Sequence, residues 1–134
     1  MKRFWLALVL LATLLAACST QAAQPSTSFS VELSDFKFTP DKFVVPAGQT
    51  ITLNMSNKGA VEHEFVIIKK GEQITMPFNE DDEEKVYWEH ELGPGQSETV
   101  TFVAPSEPGE YEVICGIEGH LEAGMKGTLT VVAP

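Results

Sequence analysis

Three residues that bind soft metals recur at a fixed interval near the C-terminal end of the chain. Cys115, His120 and Met125 each stand five positions apart, with Gly116, Gly119, Gly124 and Gly127 among them. A second imidazole, His63, lies upstream in Val61-Glu62-His63-Glu64-Phe65. One thiolate, two imidazoles and one thioether make a donor set for copper that exchanges single electrons. The sulfur donors suit Cu(I), and imidazole suits Cu(II) as well, so one compromise geometry serves both oxidation states. Each residue also has a plainer role to weigh. A strand cysteine is most often a small core residue, and methionine is most often a core filler. A histidine at the start of a strand can simply face solvent.

The run Cys-x4-His-x4-Met followed by Lys126-Gly127-Thr128-Leu129-Thr130-Val131 resembles the copper-binding end of the cupredoxins. The spacing is most similar to the auracyanin and sulfocyanin branches of the plastocyanin/azurin family. The order His, Cys, His, Met is the family order, and the resemblance spans roughly Phe29 to Pro134. It implies a blue, type 1 copper with His63, Cys115 and His120 as equatorial ligands and Met125 as the axial one. Two positions depart from the better-known members. Glu64 stands where Asn commonly follows the first His, and Gly116 stands where Ser or Thr commonly follows the Cys. Those family residues hold the thiolate loop by side-chain hydrogen bonds, and such outer partners set ligand orientation and potential.

The elements that must position these donors read as strands. Ser30 to Ser34 alternates polar and apolar, and Phe36-Lys37-Phe38 continues it to a turn at Thr39-Pro40-Asp41. Phe43-Val44-Val45, Ile51 to Met55, Thr99 to Val103 and Gly127 to Val132 read likewise. Phe65-Val66-Ile67-Ile68 is an apolar run suited to a sandwich interior, and Tyr111, Val113 and Cys115 share one strand face. Short strands between Gly/Pro turns predict an all-β, Greek-key β-sandwich of about seven to eight strands. Gly71 to Gly95 is long, acidic and poorly patterned. Asn79 can cap a short helix over the carboxylates that follow it. His90, in Trp88-Glu89-His90-Glu91, reads as a surface residue, and Met55 and Met76 read as packing residues.

The chain opens Met1-Lys2-Arg3 and runs without charge to Leu15-Ala16-Ala17-Cys18. Residues 1–17 read as a secretory signal, too short for a membrane span. The end of that run resembles a bacterial lipobox, which implies cleavage before Cys18 and lipidation of its thiol. Residues 18–28 then form an anchored, flexible tether of Ser, Thr, Gln, Ala and Pro. Residues 29–134 suit one domain with a real core. With Cys18 lipidated, Cys115 is the lone thiol in an oxidising compartment, where it is a hazard unless a metal occupies it.

The net charge is −10, and removing Lys2 and Arg3 with the signal leaves 7 basic side chains against 19 acidic, a net −12. This argues against nucleic acid and against direct adsorption to anionic lipid. It favours redox protein partners with a basic or apolar docking face, and a monomer. No hydrolytic or phosphate-binding motif is present, so the expected role is electron transfer, not catalysis. The site is the bacterial cell envelope, outside the cytoplasm, on a lipid anchor. On this reading the ring of His120, beside Leu121, Ala123 and Gly124, is the exposed electron port. A copper carrier or storage protein that supplies a membrane oxidase is the alternative, because the same ligands would serve it.

Overall fold

Alternation of apolar residues along short segments produces two sheets with one apolar interior between them. The computed structural model describes residues 23–134, so the expected signal sequence of residues 1–17, Cys18 and the first part of the expected tether lie outside the described residues. Nine strands and one short helix follow in chain order. They are β1 (Ser28–Ser34), β2 (Lys37–Thr39), β3 (Lys42–Pro46), β4 (Thr50–Asn57), β5 (His63–Ile68), η1 (Glu80–Lys85), β6 (Val86–Leu92), β7 (Ser97–Val103), β8 (Gly109–Ile114) and β9 (Lys126–Val132). One sheet has the order β2-β1-β4-β7 and the other β3-β9-β8-β5-β6. The β1–β4 and β3–β9 pairs are parallel, and the other pairs are antiparallel.

The core draws Leu33, Ile51, Leu53 and Phe102 from the first sheet and Val45, Ile67, Val113 and Leu129 from the second. Phe65 stands at its centre, with ring centroids 5.4 Å from both Phe38 and Phe43 and 6.5 Å from both Phe29 and Trp88. Each such aromatic pair adds about 0.5–1.5 kcal/mol beyond the area it buries. Phe65 lies two residues after His63, so this packing fixes the strand that presents the imidazole.

The apolar run in β5 serves two interiors, not one. Phe65 and Ile67 face the main core. Val66 and Ile68 face outward and join Ile114 and Leu121 in a second cluster, covered by Ile74, Phe78 and Val86. Side chains alternate across a strand, so a strand that is apolar at every position must be covered on both faces. The stretch from Gly71 onward supplies that cover.

This stretch is better ordered than its composition suggests. Asn79 caps η1 with a complete capping box: its side chain accepts from the Asp81 N–H, and Asp82 reaches back to the Asn79 N–H. The helix is of the tighter 3-10 kind. Buried Asp82 pairs with Lys85 at 2.8 Å. The second half of the stretch, read as unpatterned, is in fact strand β6. Val86 joins the outer cover. Beyond it Trp88, His90 and Leu92 turn inward while Tyr87, Glu89 and Glu91 face out, and charges on the outward positions obscure the alternation. The turn at Asp35-Phe36 also breaks what reads as one continuous strand, separating β1 from β2. Met76 is 65% exposed and packs against little, contrary to the packing role expected of it, whereas Met55 is buried.

Candidate metal centre

The donors come from two places that the second sheet brings together. His63 opens β5, and Cys115 directly follows β8, the strand paired with β5 through Val66↔Ile114 and Ile67↔Val113. His120 lies in the loop between β8 and β9, and Met125 is its last residue before β9. That loop is fastened by its own backbone. The N–H of His120 donates to Ile117 O, Ala123 to Gly119 O, Gly124 to Leu121 O and Met125 to His120 O, at 2.9–3.1 Å. The Cys115 N–H donates to Met125 O at 3.1 Å, which closes the loop end to end. Gly119 and Gly124 have φ of +84° and +97°, a region glycine enters without steric cost.

His63 Nδ1 lies 3.1 Å from His120 Nδ1, and Cys115 Sγ lies 3.4 Å from His120 Nδ1 and 4.0 Å from His63 Nδ1. The point equidistant from the three atoms is about 2.1 Å from each. That matches a metal–nitrogen bond of about 2.0–2.1 Å and is a little short of a metal–thiolate bond of about 2.3 Å, taking zinc as the yardstick. Two ring nitrogens 3.1 Å apart cannot both carry hydrogen, so at least one of them turns a lone pair toward the other donors. Among the described residues, these three form the one cluster of His, Cys and carboxylate groups fit to hold a metal, and all three are buried. Met125 is fully buried in the same core as Cys115.

Burial pushes the Cys115 thiol up, opposed by the Glu64 N–H, which donates to Sγ at 3.4 Å. Burial also pushes His63 down, and His120 adds to that, against a smaller opposing pull from Asp35. Without metal the site therefore holds a neutral thiol and a neutral imidazole. A cation entering it must displace the thiol proton. His63 Nε2 is buried without a hydrogen bond. The Asp35 carboxylate stands 3.4 Å away but is too poorly directed to make one.

Four supporting residues escaped the sequence reading. Asn57, fully buried, donates to Val61 O and Leu92 O at 2.8 Å and accepts from the Gly59 N–H at 2.8 Å. It thereby braces the loop that leads into His63. Gly59 leaves room for the His63 ring, since a Cβ there would come within 2.6 Å of Nε2. Asn57-Lys58-Gly59 reads as an ordinary turn, and nothing local marks the Asn as buried. Asp35 and Phe36, in the β1–β2 turn, reach the two imidazoles. Phe36 has φ of +63°, unusual for a bulky residue, and its ring meets the His120 ring edge-on at 5.1 Å.

Phe36 also corrects the expected port. His120 is only 7% exposed, because Phe36 stands over it. Phe36 and Val61, 47% and 45% exposed, are the large apolar side chains open to solvent in the turns flanking the imidazoles. His90 lies apart from the donors, hydrogen-bonded to Glu98 at 2.9 Å, as a surface role requires.

The chain matches the family model for a cupredoxin-like domain over residues 7–131. It is 32% identical over 110 residues to auracyanin-B of Chloroflexus aurantiacus, covering 70% of this chain and 46% of that protein. The chain thus spans about half the length of that relative. It is 28% identical over 148 aligned positions to the copper-resistant cuproprotein CopI of Pseudomonas aeruginosa, covering 83% of this chain and 79% of that protein. Among solved structures, the dithionite-reduced auracyanin of Roseiflexus castenholzii superposes with a TM-score of 0.71 at 33% identity. The match covers 81% of this chain and 99% of that one. Family and donor chemistry agree on a site for one type 1 copper ion.

Proposed function

This chain belongs to the cupredoxin-like family, and on that footing we propose that it carries single electrons between redox proteins through one type 1 copper. His63, Cys115 and His120 would hold the ion, with the buried Met125 as a further, weaker thioether donor. The observation that carries the reading is the buried triangle of His63 Nδ1, His120 Nδ1 and Cys115 Sγ. Bound copper supplies Cu(II)/Cu(I) chemistry. The protein would keep the same donors in place for both states, because backbone hydrogen bonds within the loop set Cys115, His120 and Met125, and strand β5 with the Asn57 brace sets His63. Phe36 excludes water above His120 and offers an apolar contact through which a partner approaches. The acidic outer face favours a partner of basic charge.

The visible spectrum of the copper-loaded domain tests this. An intense thiolate-to-copper charge-transfer band is expected, and bound copper without that band would sink the reading. Met125→Leu should raise the reduction potential and Met125→Gln lower it, copper staying bound in both. An apolar neighbour disfavours Cu(II), and a harder oxygen favours it.

The likeness to a copper-resistance cuproprotein supports a second reading, a copper carrier or store that delivers copper to a membrane oxidase. A carrier must exchange ligands, whereas the three donors here are buried. Slow loss of Cu(I) to a competing chelator favours electron transfer, and rapid loss favours delivery. For either role we infer a position outside the cytoplasm, with the protein held at a membrane by a lipid on Cys18. Cys18→Ala should release the protein from the membrane fraction. Wild-type protein found soluble with an unmodified N-terminus would refute the anchor.

A further inference from the structure

Gly116 follows the metal-binding cysteine, and its backbone does not need glycine, since its φ lies outside the left-handed region that Gly119 and Gly124 occupy. Space requires it instead. A Cβ built on Gly116 falls on the Glu64 carboxylate oxygen Oε2, far inside contact distance, and lies 3.2 Å from Phe78 Cε1. The Glu64 carboxyl therefore sits where residue 116 would carry a side chain, with Phe78 of the outer cover beside it. The Glu64 backbone meanwhile donates to Cys115 Sγ at 3.4 Å. One residue thus touches the thiolate through its N–H and the following peptide through its carboxyl.

Nothing about the outer face of β5 and β6 attracts a carboxyl inward. Glu64 pairs across strands with Glu91, and Val66 beside it pairs with Glu89. Like charges directly opposite each other on a sheet repel. The seat is a matter of shape: glycine on one side, an aromatic edge on the other.

We propose that Gly116 is a seat for the Glu64 carboxyl, and that the seated carboxyl positions the Cys115 loop and tunes the copper held there. Glu64 and Gly116 then act as one unit, and the two departures from the common family residues are a single exchange. The tuning half rests on Cys115 holding copper, as proposed above; the seat does not.

The carboxyl is the far end of a flexible side chain, so a methyl at position 116 should expel it without moving the backbone. Gly116→Ala should therefore reproduce Glu64→Ala. Both should shift the reduction potential upward by similar amounts, because a carboxylate near the metal favours Cu(II). The double variant should shift it no further than either single one. Additive shifts, or a Gly116→Ala potential equal to the wild type while Glu64→Ala moves, would overturn the tuning. Melting of the metal-free domain tests the seat alone. Gly116→Ala should lower the melting temperature of the wild type and leave that of Glu64→Ala nearly unchanged. If Gly116→Ala does not fold, the double variant should; equal damage in both backgrounds refutes the seat. A wild type that binds copper without colour would refute the function and leave the seat standing or falling on the melts.

Discussion

The loop from Cys115 to Met125 and the cover from Gly71 to Lys85 are neighbours built on opposite plans. The loop closes on itself, with four internal turns, two left-handed glycines and a bond from its first residue to its last. The cover owes its place to distant residues. Ile74 and Phe78 pack on Val66, Ile68, Ile114 and Leu121, and the Lys69 N–H donates to Lys85 O at 2.8 Å. A segment that holds its own shape can carry a metal site through a change of charge with little movement. A segment seated mainly by packing on other elements can be altered without removing a metal ligand, even where its Phe78 meets the loop.

The sharpest test removes the thiolate. Cys115→Ser should abolish the charge-transfer band entirely, even where some copper remains, while the metal-free fold persists. Visible absorption and circular dichroism on one sample would read both. If the fold is lost with the colour, the loop is less self-sufficient than its hydrogen bonds indicate.

Asn57→Ala comes next. It strips buried partners from Val61 O, Leu92 O and the Gly59 N–H. Unsatisfied buried groups of this kind should cost the domain about 3 kcal/mol in urea unfolding. His63 should be the donor most disturbed, since the loop before it loses its brace.

Phe78→Ala strikes the cover. Full burial of Phe would put the loss at about 3–5 kcal/mol, and half-burial brings the expectation to about 2 kcal/mol. The copper band should keep its intensity. A change in colour as large as that from a ligand substitution would erase the distinction between the two regions.

The smallest effect is set by pH. Burial, and then Glu89, Glu83, Glu91 and Glu62, raise the Glu64 carboxyl from 4.5 to about 7. A carboxyl raised in the folded state stabilises the fold while protonated. Its contribution is complete below pH 4.5 and is lost as pH rises through about 7. The Glu64 contribution to metal-free stability should thus fall by about 1 kcal/mol across that window, solvent having screened most of the shift, while His63, pushed down, works in the opposite sense. The difference between the wild-type and Glu64→Gln profiles isolates the Glu64 share. Identical profiles would show the carboxyl fully solvated and the junction between loop and cover loose.

That Cys115, His120 and Met125 fall in one loop was legible because a loop that folds on itself writes its layout in local spacing. His63 was legible only through the chemistry of the set, which needs a second imidazole. The strand pattern gave the two-sheet class, since alternation is a local property of a half-buried strand. Asn79 likewise announced its cap, because capping involves only neighbours in sequence. Strand β6 was legible in principle but masked by Glu89 and Glu91.

What the sequence could not display are contacts between segments far apart along it. Asn57 looks like any turn residue until Leu92, 35 positions on, needs its amide. Phe36 looks like part of a strand until the fold lays it over His120, which closes a port that spacing alone would leave open. Gly116 looks like flexibility until the carboxyl of Glu64 fills its side-chain space. The kinds of donor are fixed by residue chemistry. Whether they meet, what covers them and which neighbour tunes them depends on which strands pair, and that is settled only when two apolar faces close on each other.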